Sequence, residues 1–257
     1  MNSKIFKKII SLFVILTTTH VYADNLPDSL FGIKILDSVN NYEVIIKDEQ
    51  KFRDGTRSRD FYALKNVPNP NDAFDYYFVV TNPNDDKIVS ARGIIKYAEM
   101  ATPITALKKN PNGEPFCAAR DLPKYVTAVS NAWQIREGKF SDPQIRYYGK
   151  EIPENLKKGF RFYLIRKLNF KKNNINMIAS VECEYQYFAF GDPIKDNEGG
   201  ETTTTNPFIG ADLKVNIMTE EYDKNWNKKS PPTKVYKNIT VGNFIRQLSE
   251  GVSTQGF

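Results

Sequence analysis

The order of apolar and polar residues along the chain predicts strands more often than helices. Aromatic and β-branched residues dominate 74–80, and the turn-forming segment Asn-Pro-Asn-Asp-Asp follows at 82–86. An apolar pattern returns over 87–95. Two such runs separated by turn residues are typical of a β-hairpin. Residues 74–95 are therefore predicted to form the first hairpin.

A longer hairpin is predicted over 160–190. Its first strand repeats large apolar residues at even positions, namely Phe160, Phe162, Leu164, Leu168 and Phe170. Side chains of a strand alternate between two faces, so these residues share one face. Residues 171–174 turn the chain and 175–190 return. Residues 212–217 alternate strictly and predict a further half-buried strand.

Two segments have the apolar spacing of an amphipathic helix. The first stripe consists of Leu122, Tyr125, Val126, Val129 and Trp133, with Asp121 placed as the N-terminal cap and Gly138 as the end of the segment. The second stripe, between Thr240 and Gly251, consists of Val241, Phe244, Ile245 and Leu248. Both stripes are expected to pack on a sheet.

Few helices and hairpin-linked strands predict an α+β fold, in which an antiparallel sheet built from hairpins carries two main amphipathic helices. Residues 224–238 are expected to be an irregular connection. The two hairpins share a crude pattern, which leaves two interpretations open. The mature chain is either one domain over 24–257 or an internal duplication with sub-modules 24–110 and 111–257, separated near 108–114.

Residues 1–23 have the three parts of a secretory signal peptide. Three lysines precede an apolar run, and small residues stand at the third and first positions before a cleavage point after Ala23. The apolar run is too short to cross about 30 Å of hydrocarbon comfortably. The mature protein is therefore expected in the periplasm or outside a bacterial cell, with no transmembrane segment after cleavage.

Cleavage changes the chemistry that the chain can support. The only histidine, His20, leaves with the signal peptide, and the loss of three lysines lowers the formal charge from +6 to +3. Without imidazole the mature chain has no Ser-His-Asp or Cys-His site and no histidine ligand for zinc. The usual nucleotide-binding and serine-nucleophile motifs do not occur after Ala23 either, so no cofactor is predicted.

Cys117 and Cys183 are the two cysteines of the chain. An even number of cysteines in an exported protein predicts a disulfide. The pair lacks the C-x-x-C spacing of redox-active thiols, so a structural bridge is the preferred interpretation.

Residues 30–39, Leu-Phe-Gly-Ile-Lys-Ile-Leu-Asp-Ser-Val, resemble the opening motif of many small exported bacterial proteins, in which a short strand runs through a glycine turn into a helix. The segment is distantly similar to the small lipoprotein family that assists outer-membrane protein assembly. Leu36 stands where that family usually has a second glycine, and the lipid-bearing cysteine is absent. The resemblance therefore implies a local structure and transfers no functional residue.

Carboxylates are the remaining classical acid–base groups. Glu182 and Glu184 flank Cys183 on a predicted strand, so both project from the face opposite the cysteine. Two such carboxylates are the minimum for glycoside hydrolysis. More often such a pair is solvated, or faces Arg161 or Lys167 on the neighbouring strand. No catalytic residue is identified by this pattern.

Two further clusters are candidate binding sites. Asp192, Asp196 and Glu198 lie in a long polar loop with the oxygen ligands that calcium prefers, although their spacing is not that of an EF-hand. Basic residues interleaved with aromatic ones predict a surface for anionic headgroups or glycans: Lys157, Lys158, Arg161, Lys167, Lys171 and Lys172. Turn lysines also protect exposed strand edges from aggregation, which is the alternative interpretation.

The sequence favours a non-catalytic binding or interaction module of the cell envelope. Its expected partner is an envelope protein, a lipid headgroup or a glycan, and nucleic acid is not expected outside the cytoplasm. The alternative is a carboxylate-based hydrolase acting on an envelope polymer or glycan.

Overall fold

The computed structural model describes residues 26–51, 57–98, 116–148, 160–190, 194–195, 201–202, 206–237 and 239–244. The strands are β1 (Ser29–Leu30), β2 (Ile33–Lys34), β3 (Val44–Lys51), β4 (Arg57–Leu64), β5 (Tyr76–Thr81), β6 (Ile88–Ala98), β7 (Gln144–Tyr148), β8 (Phe160–Lys172), β9 (Ile175–Phe190), β10 (Ile194–Lys195), β11 (Glu201–Thr202), β12 (Asn206–Thr219) and β13 (Lys234–Lys237). The two longer helices are α1 (Leu122–Ala132) and α2 (Glu220–Lys229).

Nine strands form one antiparallel sheet in the order β13-β7-β8-β9-β12-β6-β5-β4-β3. The strands β3 to β6 form one meander, and β7, β8, β9 and β12 form another. The two meanders join where β6 pairs with β12, with Ile95 opposite Leu213. The predicted α+β class and its antiparallel sheet are confirmed. Both proposed sub-modules contribute strands to this one sheet, and their origin by duplication stays a hypothesis.

Both predicted hairpins are present, as β5–β6 and β8–β9. The turn between β8 and β9 contains Asn173 and Asn174 at φ values of 50° and 63°. Asparagine tolerates this left-handed conformation, and a two-residue turn of this hand matches the twist of the flanking strands. The strand predicted over 212–217 is the central part of β12.

One face of the sheet carries the hydrophobic core. Cys183 lies between Leu164 of β8 and Leu213 of β12, and all three side chains are buried. Phe162 stacks on Tyr185 with ring centroids 4.8 Å apart. Helix α1 packs on β9 over this face. The predicted apolar face of β8 is therefore the core face.

Helix α1 confirms the first predicted stripe but not its predicted ends. The wider helical turn Cys117–Asp121 precedes it, and Asp121 has helical backbone angles without a side-chain cap bond. The Asp121 carboxylate instead accepts from Arg120, with Nε to Oδ1 at 2.9 Å. The helix ends at Ala132, because Gln134 takes φ of 53°, so the proposed end at Gly138 is wrong.

The connection predicted as irregular over 224–238 is wrong for most of its length. Helix α2 occupies Glu220–Lys229 and β13 occupies Lys234–Lys237. Thr219 caps α2 by accepting from the Tyr222 amide at 3.2 Å, and the acidic first turn complements the positive end of the helix. The helix was missed because it is polar nearly all round and has no continuous apolar stripe.

The second predicted helix is described over its first turn. Residues 241–244 are helical, and Thr240 Oγ1 accepts from the Asn243 amide at 3.2 Å. Val241 and Phe244 are buried, and Phe244 packs edge-on against Phe162 with centroids 4.9 Å apart. Ile245 and Leu248 lie outside the described residues.

The segment 30–39 forms a small hairpin rather than a strand followed by a regular helix. Phe31 and Gly32 form the turn between β1 and β2 at φ values of 56° and 75°. Ser38 then caps the short 3₁₀ turn Val39–Asn41. The Phe31 ring lies against Gly93, where an added Cβ would approach it to 2.6 Å. The hairpin thus closes one end of the core.

The predicted disulfide between Cys117 and Cys183 is confirmed, with the two Cα atoms 5.9 Å apart. It ties the turn before α1 to the middle of β9. Within the described ranges, no helix is both long and apolar enough to cross a membrane.

Replacing Cys117 and Cys183 together with alanine is expected to lower the free energy of unfolding by about 4 kcal/mol, because the bridge closes a long loop and restricts the unfolded chain. Denaturant unfolding followed by circular dichroism measures the change. Wild-type protein under reducing conditions is the matched control and should unfold at nearly the same denaturant concentration. An unchanged midpoint in the double variant would contradict a stabilising role.

Candidate functional site

The face of the sheet opposite the core forms a cleft under α2. Its volume is about 400 Å³, and its lining comes from β4, β6, β7, β8, β9, β12 and α2. Side-chain alternation places it there, because residues next to the buried core positions of each strand point to this face. Arg92, Lys214 and Glu182, for example, neighbour core residues of β6, β12 and β9.

The lining of the cleft is strongly cationic. Its basic residues are Arg59, Arg92, Arg146, Arg161, Lys167 and Lys214. Its carboxylates are Glu182, Glu184 and Asp223. Six cations against three anions give the described lining a formal charge of +3. The aromatic residues between them are Phe61, Tyr148, Tyr163, Tyr222 and Trp226.

A buried ion pair lies at the floor of the cleft. Lys214 Nζ contacts Glu184 Oε2, and the two residues are 8 % and 1 % exposed. Glu184 Oε1 accepts from Tyr163 Oη at 2.8 Å and from Gln186 Nε2 at 3.0 Å. Arg161 Nη1 is 3.9 Å from the same oxygen. Both oxygens of Glu184 are therefore engaged by neighbouring side chains.

Burial shifts the titration of two groups beside this pair. Loss of solvent, followed by the nearby Arg92 charge, lowers the pKa of Lys214 to about 7. Burial also raises the pKa of Tyr163 to about 12, so its hydroxyl stays protonated and donates to Glu184 at neutral pH. Lys214 is therefore a group of the cleft that changes charge near neutrality.

Glu182 is held differently, by a short chain of hydrogen bonds. Asn216 Nδ2 donates to Ser180 Oγ at 3.0 Å, and Ser180 Oγ donates to Glu182 Oε1 at 2.6 Å. Asn216 and Ser180 are each 1 % exposed, whereas Glu182 is half-buried and lines the cleft. The chain therefore holds one carboxylate oxygen, Oε1, and does not involve Oε2.

Helix α2 is attached over the cleft mainly by polar contacts. The Arg59 guanidinium carbon lies 3.3 Å from the Trp226 ring centroid, and Nη1 donates to Tyr222 Oη at 2.8 Å. Lys167 Nζ lies 2.8 Å from Asp223 Oδ1. None of the α2 residues is fully buried. The helix thus covers the cleft through the same cations that line it.

Two further arginines of the lining differ in how they are held. Arg146 Nη1 donates to Asn227 Oδ1 at 3.2 Å. Arg92 Nε is buried and has no hydrogen-bond partner among the residues that the structure describes. An unsatisfied buried donor is costly. Arg92 also lines the cleft, where an anion can approach its guanidinium group.

The structure separates the basic residues that the sequence grouped together. Arg161 and Lys167 line the cleft. Lys171 is exposed outside it, and Lys172 lines a separate shallow depression beside Asp28 and Asp37. Lys157 and Lys158 lie outside the described residues, as do the calcium candidates Asp192, Asp196 and Glu198.

Glu182 and Glu184 project from the face opposite Cys183, as the alternation predicted. Four basic residues of the cleft were not identified from the sequence, namely Arg59, Arg92, Arg146 and Lys214. Lys214 stands between Leu213 and Val215 of an alternating strand, which is the signal that points to the non-core face. No sequence pattern indicated that these faces meet in one cleft.

Among the residues that the structure describes, no group of three or more acidic or cysteine side chains is placed to hold a metal ion.

Comparison with known proteins adds no relative: no protein-family model matches the chain, and no curated protein or solved structure matches it either.

Proposed function

We propose that this protein is an exported, non-catalytic binding module of the cell envelope that holds a small anionic ligand in the cleft under α2. The observation that carries the proposal is the charge of the lining, with six basic side chains against three carboxylates. Cations gathered in a partly desolvated cleft repel one another, and an anion relieves that repulsion.

The pairing inside the cleft strengthens this interpretation. Asp223 is engaged by Lys167, and Glu184 is engaged by Lys214. One carboxylate, Glu182, then faces the arginines of the lining. Arginine is well suited to carboxylate and phosphate groups because its planar fork donates two parallel hydrogen bonds.

Export is supported by two features. Residues 1–23 have the sequence of a signal peptide, and a disulfide of the kind found between Cys117 and Cys183 persists in oxidising compartments. The proposed site is enclosed between sheet and helix, which suits a small molecule or the terminal unit of a glycan better than a lipid surface.

The alternative function, a carboxylate-based hydrolase of an envelope polymer or glycan, has weaker support. An acid–base pair needs two carboxyl groups free to exchange protons with a substrate. Glu184 is held by Lys214, Tyr163 and Gln186, so it is not free to exchange a proton with a substrate.

Replacing Arg92 with methionine is expected to weaken anion binding by about 10- to 100-fold, since a hydrogen bond to a charged group contributes about 1.5–3 kcal/mol. Isothermal titration calorimetry with inorganic phosphate and with D-glucuronate measures the effect. At least one of the two anions is expected to bind the wild-type mature protein with one-to-one stoichiometry.

The matched control is Arg136→Met, which removes the same charge from an exposed residue outside the cleft lining. It should leave the dissociation constant within about 2-fold of the wild-type value. Equal losses in both variants would mean that net charge, and not the cleft, governs binding. Failure of both anions to bind the wild type would refute the proposed function.

Anion binding is expected to weaken as the pH rises from 6 to 8. The pKa of Lys214 is lowered to about 7, so the group is a cation below that value and neutral above it. Loss of one positive charge from the cleft should raise the dissociation constant roughly 5-fold, or about 1 kcal/mol. Calorimetric titrations with D-glucuronate at pH 6, 7 and 8 test this, because its carboxylate keeps one charge over this range whereas inorganic phosphate itself changes charge.

Lys214→Arg retains a cation beside Glu184 but does not titrate in this range. The variant should bind equally at pH 6 and pH 8. The mature chain has no histidine to supply an alternative neutral titration. Persistence of the wild-type pH slope in Lys214→Arg would show that another group is responsible.

A further inference from the structure

One carboxylate of the cleft opposes the binding of a simple anion. Glu182 lines it together with the arginines, and its negative charge repels any anion that the arginines attract. Its orientation is nevertheless fixed, because Asn216 and Ser180 hold Oε1 in a hydrogen-bonded chain whose two links are 3.0 Å and 2.6 Å long. Because Oε1 accepts from Ser180, Oε2 is the oxygen that remains to accept from a ligand in the cleft.

A hydrogen-bond acceptor fixed in the cleft favours a ligand that carries a hydrogen-bond donor. A hydroxyl group of the ligand supplies one, and a hydrogen bond to a charged acceptor is about twice as strong as one between neutral groups. Gln186 also lines the cleft, and because its Nε2 donates to Glu184 its amide oxygen is a second acceptor. The cleft therefore presents both donors and acceptors, which complements a molecule with one anionic group and several hydroxyls.

The remaining walls fit a ring of that kind. Tyr148 and Tyr163 line the cleft with their rings edge to face, 5.5 Å apart. Aromatic rings supply the apolar surface on which the C–H face of a sugar packs, while the polar groups fix its orientation. The volume of about 400 Å³ is within the usual range for small-ligand sites.

We propose that the ligand is a hydroxylated anion, a sugar ring carrying a carboxylate or a phosphate, and that Glu182 is the specificity-determining residue that accepts a hydrogen bond from a ring hydroxyl. This inference rests on the anion-binding function proposed above. The arginines hold the anionic group, and Glu182 rejects anions that lack a hydroxyl to offer.

Four probe molecules separate the contributions of charge, ring and hydroxyls. D-Glucuronate has all three, cyclohexanecarboxylate has the charge and the ring without hydroxyls, and D-glucose has the ring and hydroxyls without the charge. D-Glucose 6-phosphate replaces the carboxylate with a phosphate. Wild-type protein is expected to bind one of the two sugar anions at least 10-fold more tightly than cyclohexanecarboxylate or glucose. The stronger of the two sugar anions identifies the charged group.

The decisive variant is Glu182→Gln, which removes the negative charge but keeps an acceptor for Ser180. It should weaken binding of the preferred sugar anion about 5- to 10-fold because the acceptor is no longer charged. It should tighten binding of cyclohexanecarboxylate because the repulsion is gone. Opposite changes for the two ligands are not expected from general damage to the fold. The matched control, Glu137→Gln at an exposed residue outside the cleft lining, should change neither affinity.

The outcomes distinguish this inference from the function on which it rests. If cyclohexanecarboxylate binds wild-type protein as tightly as the sugar anions, the cleft binds anions without recognising their hydroxyl groups. This result would refute the role of Glu182 in specificity and leave the proposed anion binding intact. Glu182→Gln tightening every anion equally would also overturn the role of Glu182 alone. If no anion binds, the proposed function itself fails. Binding of glucose as tight as that of the sugar anions would refute both.

Discussion

Strict alternation of side chains along β8, β9 and β12 is the constraint on which the whole molecule depends. In β9 it directs Cys183 into the core and its neighbours Glu182 and Glu184 into the cleft. A slip of one residue in the pairing would exchange the two faces, burying carboxylates among apolar side chains. The disulfide to Cys117 and the two-residue turn at Asn173–Asn174 both fix the register that prevents this.

The two faces of the sheet are stabilised by different interactions. On the core face, burial of apolar and aromatic side chains stabilises the sheet directly. On the cleft face, cations are held by stacking, single ion pairs and neutral hydrogen bonds, as in Arg59 on Trp226 and Lys167 with Asp223. A polar helix such as α2 is suited to this face because it covers charges without desolvating them completely. The cleft is therefore a partly solvated cationic surface, which the proposed anionic ligand requires.

The distinction between binding and catalysis depends on how the two glutamates are held. Glu184 has both oxygens engaged, and Lys214 compensates its charge. Glu182 accepts from Ser180 through Oε1 and lines the cleft. The proposed binding function depends on this difference, because hydrolysis would need a pair of carboxyl groups able to exchange protons.

The sequence by itself determined the local structure and the covalent framework. Alternating apolar patterns predicted the hairpins β5–β6 and β8–β9, because a hairpin depends on residues near one another in the chain. The disulfide was predicted from the number of cysteines. Only the tertiary structure brought Arg59, Arg92 and Lys214 together, since they come from strands far apart in the chain. Helix α2 also depends on the tertiary structure. It has no apolar stripe, so its cap and the charges beneath it specify the helix, and those charges come together only when the sheet has formed.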